Sequence, residues 1–133
     1  MRFLILLCLF PVVALAQGWP SHPITILMGF PAGSGVDVVA RTLQEPMEKA
    51  LGTRIITDYR TGAGGNLASE AVARSKPDGY TLLLGTAATH GVNAALYRNL
   101  PFDVEVDFTP IAGSKVGELA AKFDVVLGFT PKA

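Results

Sequence analysis

The apolar positions of this chain change period several times, and each change marks an element. Ile24-Thr25-Ile26-Leu27-Met28-Gly29 is a continuous apolar run with a β-branched start and reads as a buried strand. Phe30 to Gly35 is turn-rich. From Val36 the period becomes helical: Val36, Val39, Ala40, Leu43, Met47, Ala50 and Leu51 share one face. Ser34 is placed to cap that helix, with Asp37 three residues on and Gly52 beyond its end. Pro46 lies inside it, where a missing N–H predicts a kink. Arg54 to Asp58 reads as a second strand and Tyr59 to Gly65 as a glycine-rich loop. Asn66 is expected to cap a helix from Leu67 to about Ser75. Pro77-Asp78-Gly79 is a turn, Tyr80 to Thr86 a third buried strand, Ala87 to Gly91 a loop, and Val92 to Tyr97 a short helix. Asp107 to Ala112 begins a fourth strand.

Strand, helix, strand, helix, strand is the order of a parallel α/β sheet flanked by helices. Ligands of such sheets bind outside the carboxyl ends of the strands. Three loops end there: Phe30 to Gly35, Tyr59 to Gly65 and Thr86 to Gly91. Two of them open onto helix N-termini, whose N–H groups attract anions. The first and third contain no Lys or Arg. An anion there would be held by backbone dipoles and hydroxyls, which suits a small carboxylate better than a polyphosphate. The same glycines also serve plain tight turns, and Asp37, His90 and Asn93 also have ordinary capping or loop roles.

The first residues follow a different pattern. Met1 and Arg2 precede the apolar run Phe3 to Phe10, then Pro11-Val12-Val13 and Ala14-Leu15-Ala16. This is the layout of a signal peptide over residues 1–16, cleaved before Gln17. Phe3 to Ala16 is too short for the roughly 20 apolar residues of a spanning helix.

Composition narrows the classes further. Half of the residues are hydrophobic, and 11 basic residues balance 11 acidic ones. That excludes a disordered tail and an electrostatic nucleic-acid binder. One Cys and two His provide no disulfide and no recognisable metal cluster, so no metal and no cofactor is expected. Gly33-Ser34-Gly35 after a strand, with Asp58 ending the next, mimics a dinucleotide-binding loop. An exported dinucleotide-binding α/β enzyme domain is therefore the alternative reading. Val38 stands at its third glycine position, and Ser34 lies in no G-x-S-x-G elbow, so no catalytic residue is assigned.

From Trp19 to about Ile111 the chain resembles the Bug family of extracytoplasmic solute receptors, which serve bacterial tripartite tricarboxylate transporters. The resemblance rests on several motifs in fixed order. They are Trp19-Pro20-Ser21-His22-Pro23-Ile24, Phe30-Pro31-Ala32-Gly33-Ser34-Gly35-Val36-Asp37, Ala40-Arg41 and Gly62-Ala63-Gly64-Gly65-Asn66. Further on come Pro77 to Leu82, Gly85 to Asn93 and Leu100-Pro101-Phe102-Asp103. It implies the first lobe of a type II periplasmic-binding-protein fold, a flytrap of two α/β lobes. It also implies a non-enzymatic receptor in the periplasm, a small carboxylate or related polar metabolite as ligand, and membrane permease subunits as partners, with no nucleic acid. Carried onto this sequence, the ligand is gripped by Ala32, Gly33, Ser34 and Asp37 of the first loop. Thr86, Thr89, His90 and Asn93 grip it from the third, and Gly64, Gly65 and Asn66 complete the rim. Ser34 replaces the second glycine of the usual Gly-Gly pair, adding a hydroxyl. The resemblance fades after Ile111. The expected organisation is therefore a signal peptide over 1–16, part of lobe one over 17–112, and an unassigned segment over 113–133 with a short helix near Gly117 to Phe123. The chain is expected to be truncated, with part of its sheet missing, an unpaired edge strand and weak or lost binding.

Overall fold

In the computed structural model, residues 18–111 and the backbone of residues 125–131 are described. The expected signal peptide and the helix near Gly117 to Phe123 lie outside them.

The order of elements follows the apolar pattern. Strand β1 (Ile24–Met28) leads to helix α1 (Gly35–Leu51), strand β2 (Ile55–Tyr59), a 3-10 turn (Ala63–Gly65) and helix α2 (Asn66–Ala73). Then come β3 (Thr81–Thr86), a π-helical turn (Ala88–Val92), α3 (Asn93–Leu96), β4 (Phe108–Pro110) and β5 (Val125–Pro131). The strands form one sheet in the order β2-β1-β3-β5-β4. β1 pairs in parallel with β2 and β3, as the alternation of strands and helices predicts. β5 runs antiparallel to both β3 and β4.

That last strand adds a pairing that the three strands expected from sequence did not include, while β2 and β4 remain the edges of the sheet. The far edge of β3 is not left open: residues 125–131 pair with it, from Leu83↔Phe129 to Thr86↔Val125. The segment left unassigned thus supplies a central strand to the described sheet.

Successive side chains of β1 and β3 point to opposite faces and build two cores. Leu27 and Leu83 pack with Ala68 and Val72 of α2 and with Phe102 and Phe108. Met28 and Leu84 pack with Ala40 of α1, flanked by Val36, Val39 and Tyr59. The sheet is therefore covered by α1 on one face and α2 on the other.

Helix α1 begins and ends where its caps predict. Ser34 has extended backbone and its hydroxyl accepts the Asp37 N–H, while Gly52 closes the helix in the left-handed region. Pro46 does not divide the helix, which runs through it for 17 residues. Thr42, whose carbonyl loses its helical donor there, is exposed, as is Pro46 itself, so the lost bond falls on the solvent side of the helix. Glu48 ties the helix to β2, its Oε1 accepting the Ile55 N–H at 2.8 Å. Two further details differ from expectation. Asn66 is the first residue of α2 rather than its cap, a place taken by Gly65. The third loop is helical, a π turn that runs straight into α3.

Candidate ligand-binding site at the carboxyl ends of the parallel strands

The first loop is built around one buried carboxylate. Ser34 N–H donates to Pro31 C=O at 3.2 Å, and Gly33 has φ +82°. A four-residue turn with only its third residue left-handed is type II, and this is the position that requires glycine. Asp37, 2% exposed, reaches back from the first turn of α1 and accepts the Gly33 N–H at 2.7 Å. Its other donors are the Tyr59 hydroxyl at 2.7 Å and Arg41 Nε at 3.0 and 3.1 Å. The Gly33 N–H, then Tyr59, then Arg41 hold the Asp37 carboxyl at about 2, below its ordinary 3.8, against the opposing effect of burial. With its oxygens committed to these three donors, Asp37 shapes the loop rather than facing solvent. A pyrophosphate at this turn would meet that negative charge, which argues against the dinucleotide reading.

The second loop is joined to the first by close backbone contact. A Cβ on Gly29, just beyond β1, would lie 2.5 Å from Gly65 Cα. A Cβ on Gly65 would lie 2.6 Å from Thr89 Cγ2. Gly29, Gly65 and Thr89 therefore stack in file, and this contact brings all three loops together.

In the third loop the polar side chains bond among themselves. Thr89 Oγ1 accepts the Thr86 N–H at 2.9 Å, and Thr86 Oγ1 accepts the Thr89 N–H at 3.3 Å. The Thr89 hydroxyl donates to Thr86 C=O at 3.1 Å, and its Oγ1 lies in hydrogen-bond contact with His90 Nδ1 at 2.8 Å, the imidazole tautomer setting the direction of that bond. Asn93 Nδ2 donates to Gly64 C=O at 3.0 Å and to Asn66 Oδ1 at 2.7 Å, fastening the 3-10 turn to α3. Thr86, Thr89, Asn66 and Asn93 are all buried.

The predicted residues thus fall into two groups. Ala32, Gly33 and Gly64 are exposed, and Ser34 and His90 half-buried. Asp37, Gly65, Asn66, Thr86, Thr89 and Asn93 are buried. Sequence reasoning did not single out Gly29, Arg41 or Tyr59 for the site. The i,i+4 spacing of Asp37 and Arg41 is a signal that could have found one of them. Among the described residues no group of three His, Cys, Asp or Glu could hold a metal ion.

His90 packs edge-on against Phe108, ring centroids 5.0 Å apart. Burial pushes its pKa from 6.5 down to about 4, so the fold holds the neutral imidazole. Above pH 6.5 folded and unfolded states are both neutral. Between 6.5 and 4 the unfolded chain takes up a proton that the folded chain refuses, and stability falls. Urea midpoints measured near pH 7 and near pH 4.5 are expected to differ, and His90→Gln to reduce that difference. An equal acid loss in the variant would show that the titrating group lies elsewhere.

Comparison with known proteins places this arrangement. Structures of periplasmic binding proteins share the fold, among them BugD, at 36% identity and a TM-score of 0.67 over 70% of this chain and 31% of that one. MatC of Rhodopseudomonas palustris, solved with bound malate, gives 40% identity and a TM-score of 0.69 over 71% of this chain and 32% of its own. An R. palustris protein solved with adipate gives 34% and 0.68 over 71% and 31%. The described lobe therefore has a periplasmic-binding-protein architecture. The tripartite tricarboxylate transporter family receptor matches residues 39–121, and the chain belongs to that family. A UPF0065 protein of Bordetella bronchiseptica is 46% identical over 108 residues, 81% of this chain. Protein BugT of Bordetella pertussis is 37% identical over 105 residues, 78% of this chain. The chain spans 32% of the length of each of these two relatives.

Proposed function

We propose that this chain forms a carboxylate-gripping wall of a solute receptor, exported to the periplasm by residues 1–16 and serving the permease subunits of a tripartite tricarboxylate transporter. It binds and hands over its ligand without chemistry. The observation that carries this reading is the convergence of the three loops at one end of the sheet. The turn before α1 is locked, and the first-turn N–H groups of that helix have no intrahelical acceptors. The Ser34 hydroxyl accepts from Asp37 N–H at 3.4 Å and keeps its own proton to give. Structural relatives solved with malate and with adipate support the ligand class.

The test uses the chain recovered from the periplasm. Mass spectrometry is expected to place its N-terminus at Gln17. Titrated with malate or adipate, it should show saturable amide shifts in 30–36, 62–66 and 86–93. One wall supplies part of the contacts, so dissociation constants on the order of millimolar are expected. Ser34→Ala should weaken binding by about 0.5–1.5 kcal/mol, the net value of one hydrogen bond. An intact Met1 would overturn the export claim. Absence of shifts in those loops with both ligands would overturn the carboxylate claim.

A further inference from the structure

Tyr59 is the last residue of β2, in register with Met28, the last of β1. Its ring packs beside Met28, Ala40 and Leu84. Its hydroxyl joins two groups that the sequence separates. It donates its one proton to Asp37 Oδ1 at 2.7 Å and accepts from Arg41 Nη2 at 3.1 Å. Asp37 in turn holds the Gly33 N–H through Oδ2. An unbroken line of hydrogen bonds therefore runs from the exposed Arg41 guanidinium through Tyr59 and Asp37 to the central peptide of the turn.

The orientation of that peptide matters to a ligand. Because the peptide is trans, fixing the Gly33 N–H toward Asp37 turns the Ala32 carbonyl the opposite way. A flip to a type I turn would reverse both groups. The line of bonds therefore decides whether the exposed side of the turn offers an acceptor or a donor. Arg41 Nε alone cannot fix the carboxylate, because it straddles both oxygens at 3.0 and 3.1 Å and lets them exchange roles. The Tyr59 hydroxyl meets only Oδ1 and leaves Oδ2 for Gly33.

We propose that Tyr59 is a positioning residue for the ligand loop, its hydroxyl, braced by Arg41, aiming the Asp37 carboxylate at the Gly33 N–H. The loop's role in holding a ligand rests on the function proposed above. The aiming itself does not. Asp37 also lifts the Tyr59 pKa above 10.0, with burial acting the same way, so the phenol keeps the proton it donates.

The test is Tyr59→Phe in the labelled full chain, which keeps the ring and removes the hydroxyl. Near pH 4 the wild-type Asp37 carboxyl should be fully ionised, and in the variant partly protonated, as its pKa moves from about 2 toward 3.8. Gly33 amide exchange should quicken several-fold relative to the Ala40 amide, which reports α1 itself. Asp37→Asn should quicken Gly33 similarly, and the double variant should add nothing to Asp37→Asn. Arg41→Gln, at a side chain 62% exposed, should move both readouts the same way by less, and it decides the matter if Tyr59→Phe fails to fold. Unchanged Asp37 ionisation and unchanged Gly33 exchange would overturn the proposal, as would effects that add in the double variant. A malate titration separates the two claims. A wild-type chain that ignores malate counts against the proposed function, while the Gly33 and Asp37 readouts still judge Tyr59.

Discussion

Gly29→Ala is expected to lower stability by roughly 2–6 kcal/mol, combining about 1–3 for an overpacked core with a similar cost for buried polar groups left unpaired. The added methyl would stand 2.5 Å from Gly65 Cα and 2.8 Å from Gly65 O. Both are backbone atoms, so no side chain can rotate aside. Gly65 cannot retreat either. It is buried at φ +91°, with Thr89 Cγ2 behind it. The 3-10 turn must move as a unit, and that breaks the bonds from Asn93 to Gly64 and Asn66. A loss of this size is comparable to the lower end of a small domain's total stability, about 5–15 kcal/mol. Urea melts followed by circular dichroism measure it. Gly35→Ala is the matched control, since a Cβ there meets nothing within 4 Å. Equal midpoints for Gly29→Ala and Gly35→Ala would show that the three loops do not depend on this contact.

The elements that sequence pattern identified well are those stabilised locally. The 3.6-residue period of α1, its Ser34 cap and its Gly52 terminus are all short-range features, and all stand in the structure. The buried runs of β1 and β3 were legible because parallel strands covered on both faces are continuously apolar. The third loop was misread for a physical reason. Its small polar residues suggest irregular chain, but Thr86 and Thr89 bond each other's N–H groups and let a π turn form there. β5 was missed although Val125-Val126-Leu127-Gly128-Phe129-Thr130 is itself an apolar run with a β-branched start; what no local pattern gives is its partner. Its place depends on pairing with β3, some 40 residues earlier in the chain.

For the site, residue types were legible and their orientation was not. The family resemblance implied that Asp37, Asn66, Thr89 and Asn93 meet a ligand. In the structure each also has partners within the protein, Asp37 in Gly33, Tyr59 and Arg41, Thr89 in Thr86, and Asn93 in Asn66, since a buried polar group must find a partner. They set the shape of the loops, and the exposed turn at Ala32 to Ser34 presents it. Tyr59 gave no sequence signal, because the residue it holds is 22 positions earlier and on a different element.

The second large effect is expected from deleting the last strand. A chain ending at Asp124 would lose the antiparallel partner of β3 from Leu83 to Thr86 and the pairing of Phe108 to Pro110 in β4. β3 would become an edge with unpaired N–H and C=O groups beside an apolar core, a surface that favours association between copies. The consequence reaches the site. Thr86 ends β3, pairs with Val125, and also anchors Thr89 at the start of the π turn. Without β5, amide protection should fall most at Leu84, Gly85, Thr86 and Thr89. It should fall least at Ile26 and Leu27 of β1, which keeps parallel neighbours on both sides. Hydrogen exchange by NMR gives that order directly, and sedimentation detects the association. The melt should lose cooperativity or shift to markedly lower urea, because a three-strand parallel sheet keeps little of the Phe108 packing that closes the core on the α2 face. A chain ending at Asp124 that stays monomeric, melts at the full chain's midpoint and protects Thr86 as well as Ile26 would show that residues 125–131 are no part of the folded sheet.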